Sequence, residues 1–164
     1  MSTLRVDSIR GQTADGTNRY VVQTVVHEFN DTTTNSTDSN ADLSGSSFSF
    51  TPKLATSLLL ISISVSVRMA RNSSSGQGCT INVVHDGTTL SEAPEDYELY
   101  CYGASSGNII FMQRLHKEVT VSASNTNART IKLQGRPTST GDSGTLIVNN
   151  ANMKSTIKVQ ELST

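Results

Sequence analysis

The stretch Leu58-Leu59-Leu60-Ile61-Ser62-Ile63-Ser64-Val65-Ser66-Val67-Arg68-Met69 decides the fold. Leu59, Ile61, Ile63, Val65, Val67 and Met69 occupy one phase of a period of two, and Leu60, Ser62, Ser64, Ser66 and Arg68 occupy the other. A helix would smear these side chains around its whole circumference, whereas a strand gathers the apolar set on one buried face. The stretch therefore reads as a long, half-buried strand. Its outer row of serines is small and flat, which suits solvent or close packing against a neighbouring subunit.

The same period continues on both sides. Val21 to Phe29 forms a strand, with Val21, Val25 and Phe29 on one phase and Val22 and Val26 on the other. Asn30 to Asp42 is polar and reads as a loop, or as a solvent-facing edge strand plus a loop. Ser47-Phe48-Ser49-Phe50-Thr51 alternates cleanly and stops at Pro52, which cannot donate to a ladder. Beyond the central strand, Asn72 to Gly78 reads as a flexible loop. Ile81, Val83 and His85 form a strand that ends at the hairpin dipeptide Asp86-Gly87. Further strands are expected at Ile109 to Leu115, Val119 to Ala123, Ile131 to Leu133, Leu146 to Val148 and Ile157 to Val159. Roughly eight or nine short strands, spaced by about ten residues, are the pattern of a sandwich or jelly roll. No helix of useful length and no fixed-period repeat is visible, which argues against a solenoid or propeller.

Composition agrees. The chain has 164 residues, enough for one domain with a short appendage. Aromatics make up 5% and Trp is absent, so Val, Ile and Leu must build the core. Charged residues are only 16%, and 24 Ser and 21 Thr take their place. Such residues favour strands and turns over helices. The net charge is −1 with no Lys/Arg cluster, which speaks against binding nucleic acid through its phosphates. The apolar run Leu58 to Ile61, unsurpassed in length in the chain, is too short to span a bilayer, and the N-terminus carries no apolar signal region. Synthesis in a cytoplasm is expected. Residues 1–20 read as an N-terminal arm and residues 21–164 as the β-sandwich domain. Within the arm Leu4, Val6 and Ile9 alternate as a short strand, which must pair with the domain or with another chain to be stable.

Residues able to carry chemistry are sparse. No Gly-x-Ser-x-Gly elbow occurs, His27, His85 and His116 are widely scattered, and no catalytic residue, metal ligand or cofactor is expected. The three histidines read as ordinary surface or interface residues. Cys79 and Cys101 lack ligand spacing and read as free thiols, a disulfide between them being the alternative. Glu92, Glu95, Asp96 and Glu98 form an acidic cluster with no EF-hand spacing, and it reads as a solvated loop. Tyr97, Tyr100 and Tyr102 stand beside it. Exposed tyrosines suit protein or glycan contacts, although Tyr100 and Tyr102 share a phase that would also let them enter the core. Glu95, Tyr97, Tyr100 and Tyr102 are thus the candidate surface-contact loop.

Ser2-Thr3-Leu4-Arg5-Val6-Asp7-Ser8-Ile9 resembles the short N-terminal segment of tail-fibre-like and virion structural proteins from marine and cyanobacterial phages. Val21 to Val25, the Thr-rich run Asp31 to Ser39, Leu43 to Phe50, Thr51-Pro52-Lys53 and the strand Leu58 to Val67 resemble their compact β-domain. The likeness covers residues 1–69; the remainder shares only general character. It implies an all-β, jelly-roll-like antiparallel β-sandwich, usually a homotrimer, on the outside of a virion. The chain has no shaft, collagen-like repeat or coiled coil, which fits a capsid decoration or cement protein better than a complete fibre. Its partners would be copies of itself and the major capsid protein or other virion proteins. The alternative is a tail-fibre or spike tip that binds host surface glycan through the loops Asn72–Gly78 and Glu92–Tyr102. An enzyme such as a polysaccharide depolymerase would need paired carboxylates, for which the acidic loop around Glu95 is a weak substitute.

Overall fold

A computed structural model describes residues 11–12, 18–72, 76–90, 98–101 and 109–164. The expected arm residues Leu4, Val6 and Ile9 lie outside the described residues, as do Glu95, Tyr97 and Tyr102. At the end of the arm, β1 (Gly11–Gln12) and β2 (Asn18–Arg19) pair antiparallel as a small hairpin.

The described strands are then β3 (Val21–Phe29), β4 (Thr33–Asn35), β5 (Ala41–Asp42), β6 (Phe48–Phe50), β7 (Leu58–Arg71), β8 (Gln77–His85), β9 (Thr88–Thr89), β10 (Leu99–Cys101), β11 (Ile109–Ser122), β12 (Arg129–Pro137), β13 (Thr145–Val148) and β14 (Ser155–Leu162). Two one-turn 3₁₀ segments, Gly141–Ser143 and Asn150–Asn152, flank β13. All pairing is antiparallel. One sheet runs β10-β8-β12-β5, with β6 also on β12 and β9 also on β8. The other runs β3-β14-β7-β13-β4 and adds β11 to β7. The two sheets form the expected all-β sandwich.

β7 organises this architecture, and its sequence explains why. Leu59, Ile61, Ile63, Val65, Val67 and Met69 are each at most 3% exposed, and they face Ile81 and Val83 of β8 and Ile131 and Leu133 of β12 within one core. Burying each such side chain contributes about 1.5–3 kcal/mol. β14 holds the lower part of β7 (Leu58–Ser64) and β13 the upper part (Val67–Ala70), while β11 runs along all of it (Leu58–Arg71). β14 and β13 therefore share one flank of β7, and β11 takes the other.

Several details differ from the sequence reading. Fourteen described strands replace eight or nine, because β1, β2, β4, β5, β9 and β10 have only two or three residues each, too few to show a period. Ile109–Ser122 is one continuous strand where two were expected. The stretch Asn72 to Gly78 is not wholly a loop, since β8 starts at Gln77, whose side chain is fully buried. Asn30 to Asp42 does hold an edge strand, but Thr33 and Asn35 on β4 point inward. Asn35 satisfies every polar atom of its amide: Nδ2 donates to Ser39 O and Gly135 O (both 2.8 Å), and Oδ1 accepts from Thr37 N and Oγ1 (both 2.8 Å). The Asp86-Gly87 hairpin forms as expected, with φ of 48° and 80°, the positive pair of a type I′ turn.

Candidate functional site

The flank where β11 passes the open side of β8 holds most of the polar chemistry. β10 pairs β8 at Gln77–Cys79 and β9 pairs it at Val84–His85, which leaves the backbone of Ile81 without a strand partner on that side. Side chains take the strand's place. Glu98 Oε2 accepts from Ile81 N at 3.0 Å, Lys117 Nζ from β11 donates to Ile81 O at 3.2 Å, and Lys117 and Glu98 pair with each other. An ion pair that is mostly buried stays stable when hydrogen bonds satisfy its remaining atoms, as they do here. Glu98, one of the four acids read as a solvated loop, is thus a structural clamp between the two sheets.

Beside this clamp a cavity of about 330 Å³ is lined by Glu98, Leu99 and Gln113 through Lys117. Tyr100 stands on the adjoining β10, 44% exposed, and its ring and hydroxyl cover Gly76 so closely that any Cβ there would collide with them. Of the four expected contact residues it is the one described, and it lies at the surface rather than in the core. Cys79 and Cys101 on the neighbouring strands are both free thiols. Burial, aided by the charges of Glu98 and Cys101, pushes the Cys79 thiol up to about 12, which leaves it chemically inert.

The outer face of β11 continues this surface. Ile110 and Met112 are 58% and 45% exposed, and Arg114, His116 and Glu118 follow on the same phase. The charged side chains lie across the serine row of β7. Arg114 donates to Ser64 Oγ at 3.0 Å and to Lys154 O at 2.8 Å, and Ser62 Oγ donates to Glu118 at 2.7 Å. The opposite phase of β11 faces inward through Leu115, Val119 and Val121. Among the described residues β11 pairs with β7 alone, so its other edge is open. Ala123 N donates to Ser57 O at 2.8 Å, and the ladder continues without a shift. Odd-numbered residues of β11 therefore bond β7, and even-numbered ones point N–H and C=O at the open edge.

The remaining polar groups serve the fold. His27 stacks on Phe48 at 4.7 Å and meets Gly45 O at 2.7 Å. His85 was expected at a surface, yet it is only 6% exposed. Burial, with the charge of Arg129, holds its pKa below the usual 6.5 against the pull of Asp86. His116 is exposed on β11. Glu161 is fully buried on β14, where it accepts from Lys53 N (2.9 Å), Leu54 N (2.8 Å), Ser57 Oγ (2.7 Å) and Gln23 Nε2 (2.7 Å). Burial pushes its pKa up, and these donors more than offset that and hold it below the ordinary 4.5. A second cavity, of about 510 Å³, is lined in part by Asp42, Asp86 and Lys132. There Asp42 is engaged by Lys132 and Gln134, both at 2.7 Å, which lower its pKa. Among the described residues no three His, Cys, Asp or Glu side chains are placed to hold a metal ion.

Sequence reasoning missed the open edge of β11 and the Lys117–Glu98 clamp. The strand had left a signal, the polar side chains Arg114, His116 and Glu118 on one phase opposite Leu115, Val119 and Val121 on the other, but only pairing reveals which strand ends a sheet.

No known protein family matches the chain, and no curated protein does. Among solved structures, the VP2 subviral particle of infectious bursal disease virus is 16% identical, with 88% of this chain and 40% of that chain covered at a TM-score of 0.33. The Gx strain of the same virus is 13% identical, with 96% and 43% covered at a TM-score of 0.31. The chain spans less than half the length of these matched chains. Overlaps of this size carry no information on activity or partners.

Proposed function

We propose that this chain is a non-enzymatic structural protein of a phage particle, a capsid decoration or cement subunit that clamps its neighbours at the particle surface. The observation that carries this reading is the asymmetry of the sandwich. One sheet ends in strands of two or three residues, whereas the other ends in β11 with 14 residues on one side and in β3 with nine beside the short β4 on the other. Monomeric proteins blunt long sheet edges, because an exposed row of N–H and C=O groups templates pairing with another chain. A rigid body whose described residues leave two long open edges is built for lateral contact. The partners on this reading are further copies of the chain and the major capsid protein or other virion proteins. The arm through Leu4, Val6 and Ile9 would add a strand to a neighbour. The resemblance of residues 1–69 to phage virion proteins points the same way. Nothing in the reading requires a cofactor, nucleic acid or membrane insertion.

A second reading, a tail-fibre or spike tip that binds host surface glycan, is favoured by Tyr100. It is an exposed aromatic side chain, and such rings stack on sugar faces.

Quantitative mass spectrometry of purified particles tests both. A copy number near that of the major capsid protein supports decoration or cement. One matching tail components moves the chain to the fibre, and absence from the particle overturns both readings.

A further inference from the structure

The geometry points to a specific self-association: two copies of this chain join through the open edges of β11, antiparallel about a two-fold axis at His116. The inference rests on the edge itself and not on a place in a virion, so the purified chain can test it.

Backbone parity limits the choices. The even-numbered residues of β11 aim N–H and C=O at the open edge, so they must meet even-numbered residues of the second copy. The two-fold must therefore pass through a residue and not between two. With the axis at His116, Ile110 faces Ser122 of the second copy and Met112 faces Thr120. Arg114 faces Glu118, and Glu118 faces Arg114. Every residue from Ile110 to Ser122 finds a partner, so one register gives both full overlap of the strands and two reciprocal ion pairs. Moving the axis by one residue sets Arg114 or Glu118 against His116 and loses both pairs. A two-fold normal to the sheet keeps the outer faces on one side, and directly opposed side chains then approach to about 5 Å.

Among the described residues the edge lacks the usual protection. β11 contains no proline, and its one inward-pointing charge, Lys117, is neutralised by Glu98. Its two exposed charges, Arg114 and Glu118, are opposite in sign and complement a reversed copy of the strand. β3 offers less, because Glu28 is the single charged residue on its outer row of Val22, Thr24, Val26 and Glu28. Pairing β11 with β3 of another copy would make one ion pair at most and would leave an open edge at each end, which yields rings or open polymers rather than a closed dimer. The β11 pairing gives one continuous sheet through β3-β14-β7-β11 and its symmetry mate. It replaces the three-fold expected from the resemblance with a two-fold at this contact.

Analytical ultracentrifugation of the full chain over a wide concentration range tests this, with thermal melts as the control for folding. The wild type should reach a dimer and stop there. Arg114→Glu or Glu118→Arg alone sets like charges against each other twice and should weaken the dimer by about tenfold or more. The double variant Arg114→Glu/Glu118→Arg restores opposition only in this register and should bring the affinity back. His116→Pro removes an edge-directed N–H while leaving the β7 bonds intact, and it should abolish the dimer. A monomer at all concentrations, a trimer or open polymer, a dimer that ignores either single reversal, or a double variant without rescue each overturns the proposal.

Discussion

Glu161 shows how much one residue can fix. Its carboxylate is removed from water and has no cationic partner among the described residues; backbone N–H groups of Lys53 and Leu54, with Gln23 and Ser57, supply the solvation instead. That arrangement ties the end of β14 to the turn that follows Pro52 and leads into β7. Glu161→Gln turns one oxygen into a donor that faces other donors. We expect a loss of about 3 kcal/mol in urea denaturation at neutral pH, since bonds to charged groups contribute more than neutral ones. Cys79 makes a contrasting prediction. As a buried thiol raised to about 12, it should resist alkylation in the folded protein and react only on unfolding, while the half-buried Cys101 reacts sooner. Mass spectrometry of partially labelled protein reads the order directly.

At the scale of elements, β11 carries the most consequence, because its two backbone phases have different duties. Met112 and Gln113 both have exposed side chains, so replacing either with proline isolates the backbone. Met112→Pro removes an N–H aimed at the open edge. Gln113→Pro removes one that bonds Val67 of β7 and strands its carbonyl partner. At concentrations where the chain is monomeric, Gln113→Pro should therefore be less stable than Met112→Pro by about 2 kcal/mol in chemical denaturation. Equal losses would mean that the phase of β11 is assigned wrongly, and the proposed self-pairing would fail with it.

For the whole molecule, stability depends on how closely the two sheets approach. Gly135 on β12 marks a tight point. A Cβ there would lie 2.8 Å from Ile81 Cδ1 on its own sheet, 2.9 Å from Leu146 Cδ2 on the facing sheet and 3.2 Å from Thr80 O. Asn35 also crosses between the sheets to bond Gly135 O. Gly135→Ala should overpack this contact and lower stability by about 2 kcal/mol, read as a drop in melting temperature. Acid should unfold the protein in two stages. The pKa of His85 is lowered by folding, so its contribution is complete above 6.5 and is lost as pH falls from there through its folded value. Glu161 is likewise lowered, so its contribution is complete above 4.5 and is lost as pH falls further. Denaturation midpoints followed from neutral pH downward should decline in both windows, and Glu161→Gln should flatten the lower one.

The sequence by itself determined the strands whose two faces differ. The Leu59-to-Met69 phase, the Asp86-Gly87 turn and the stop at Pro52 are local facts, set by side-chain periodicity and by backbone conformations that few residues adopt. These were enough for an antiparallel sandwich. Tertiary structure alone decided what depends on neighbours distant in the chain. The short strands β4, β5, β9 and β10 exist because longer strands recruit them, and Gln77 and Thr33 are buried because another layer covers them. Glu98 serves as a clamp because Lys117 reaches it across the sandwich. The open edge of β11 belongs to the same class, since a strand carries no mark of whether a second strand will lie beside it until the whole sheet is laid out.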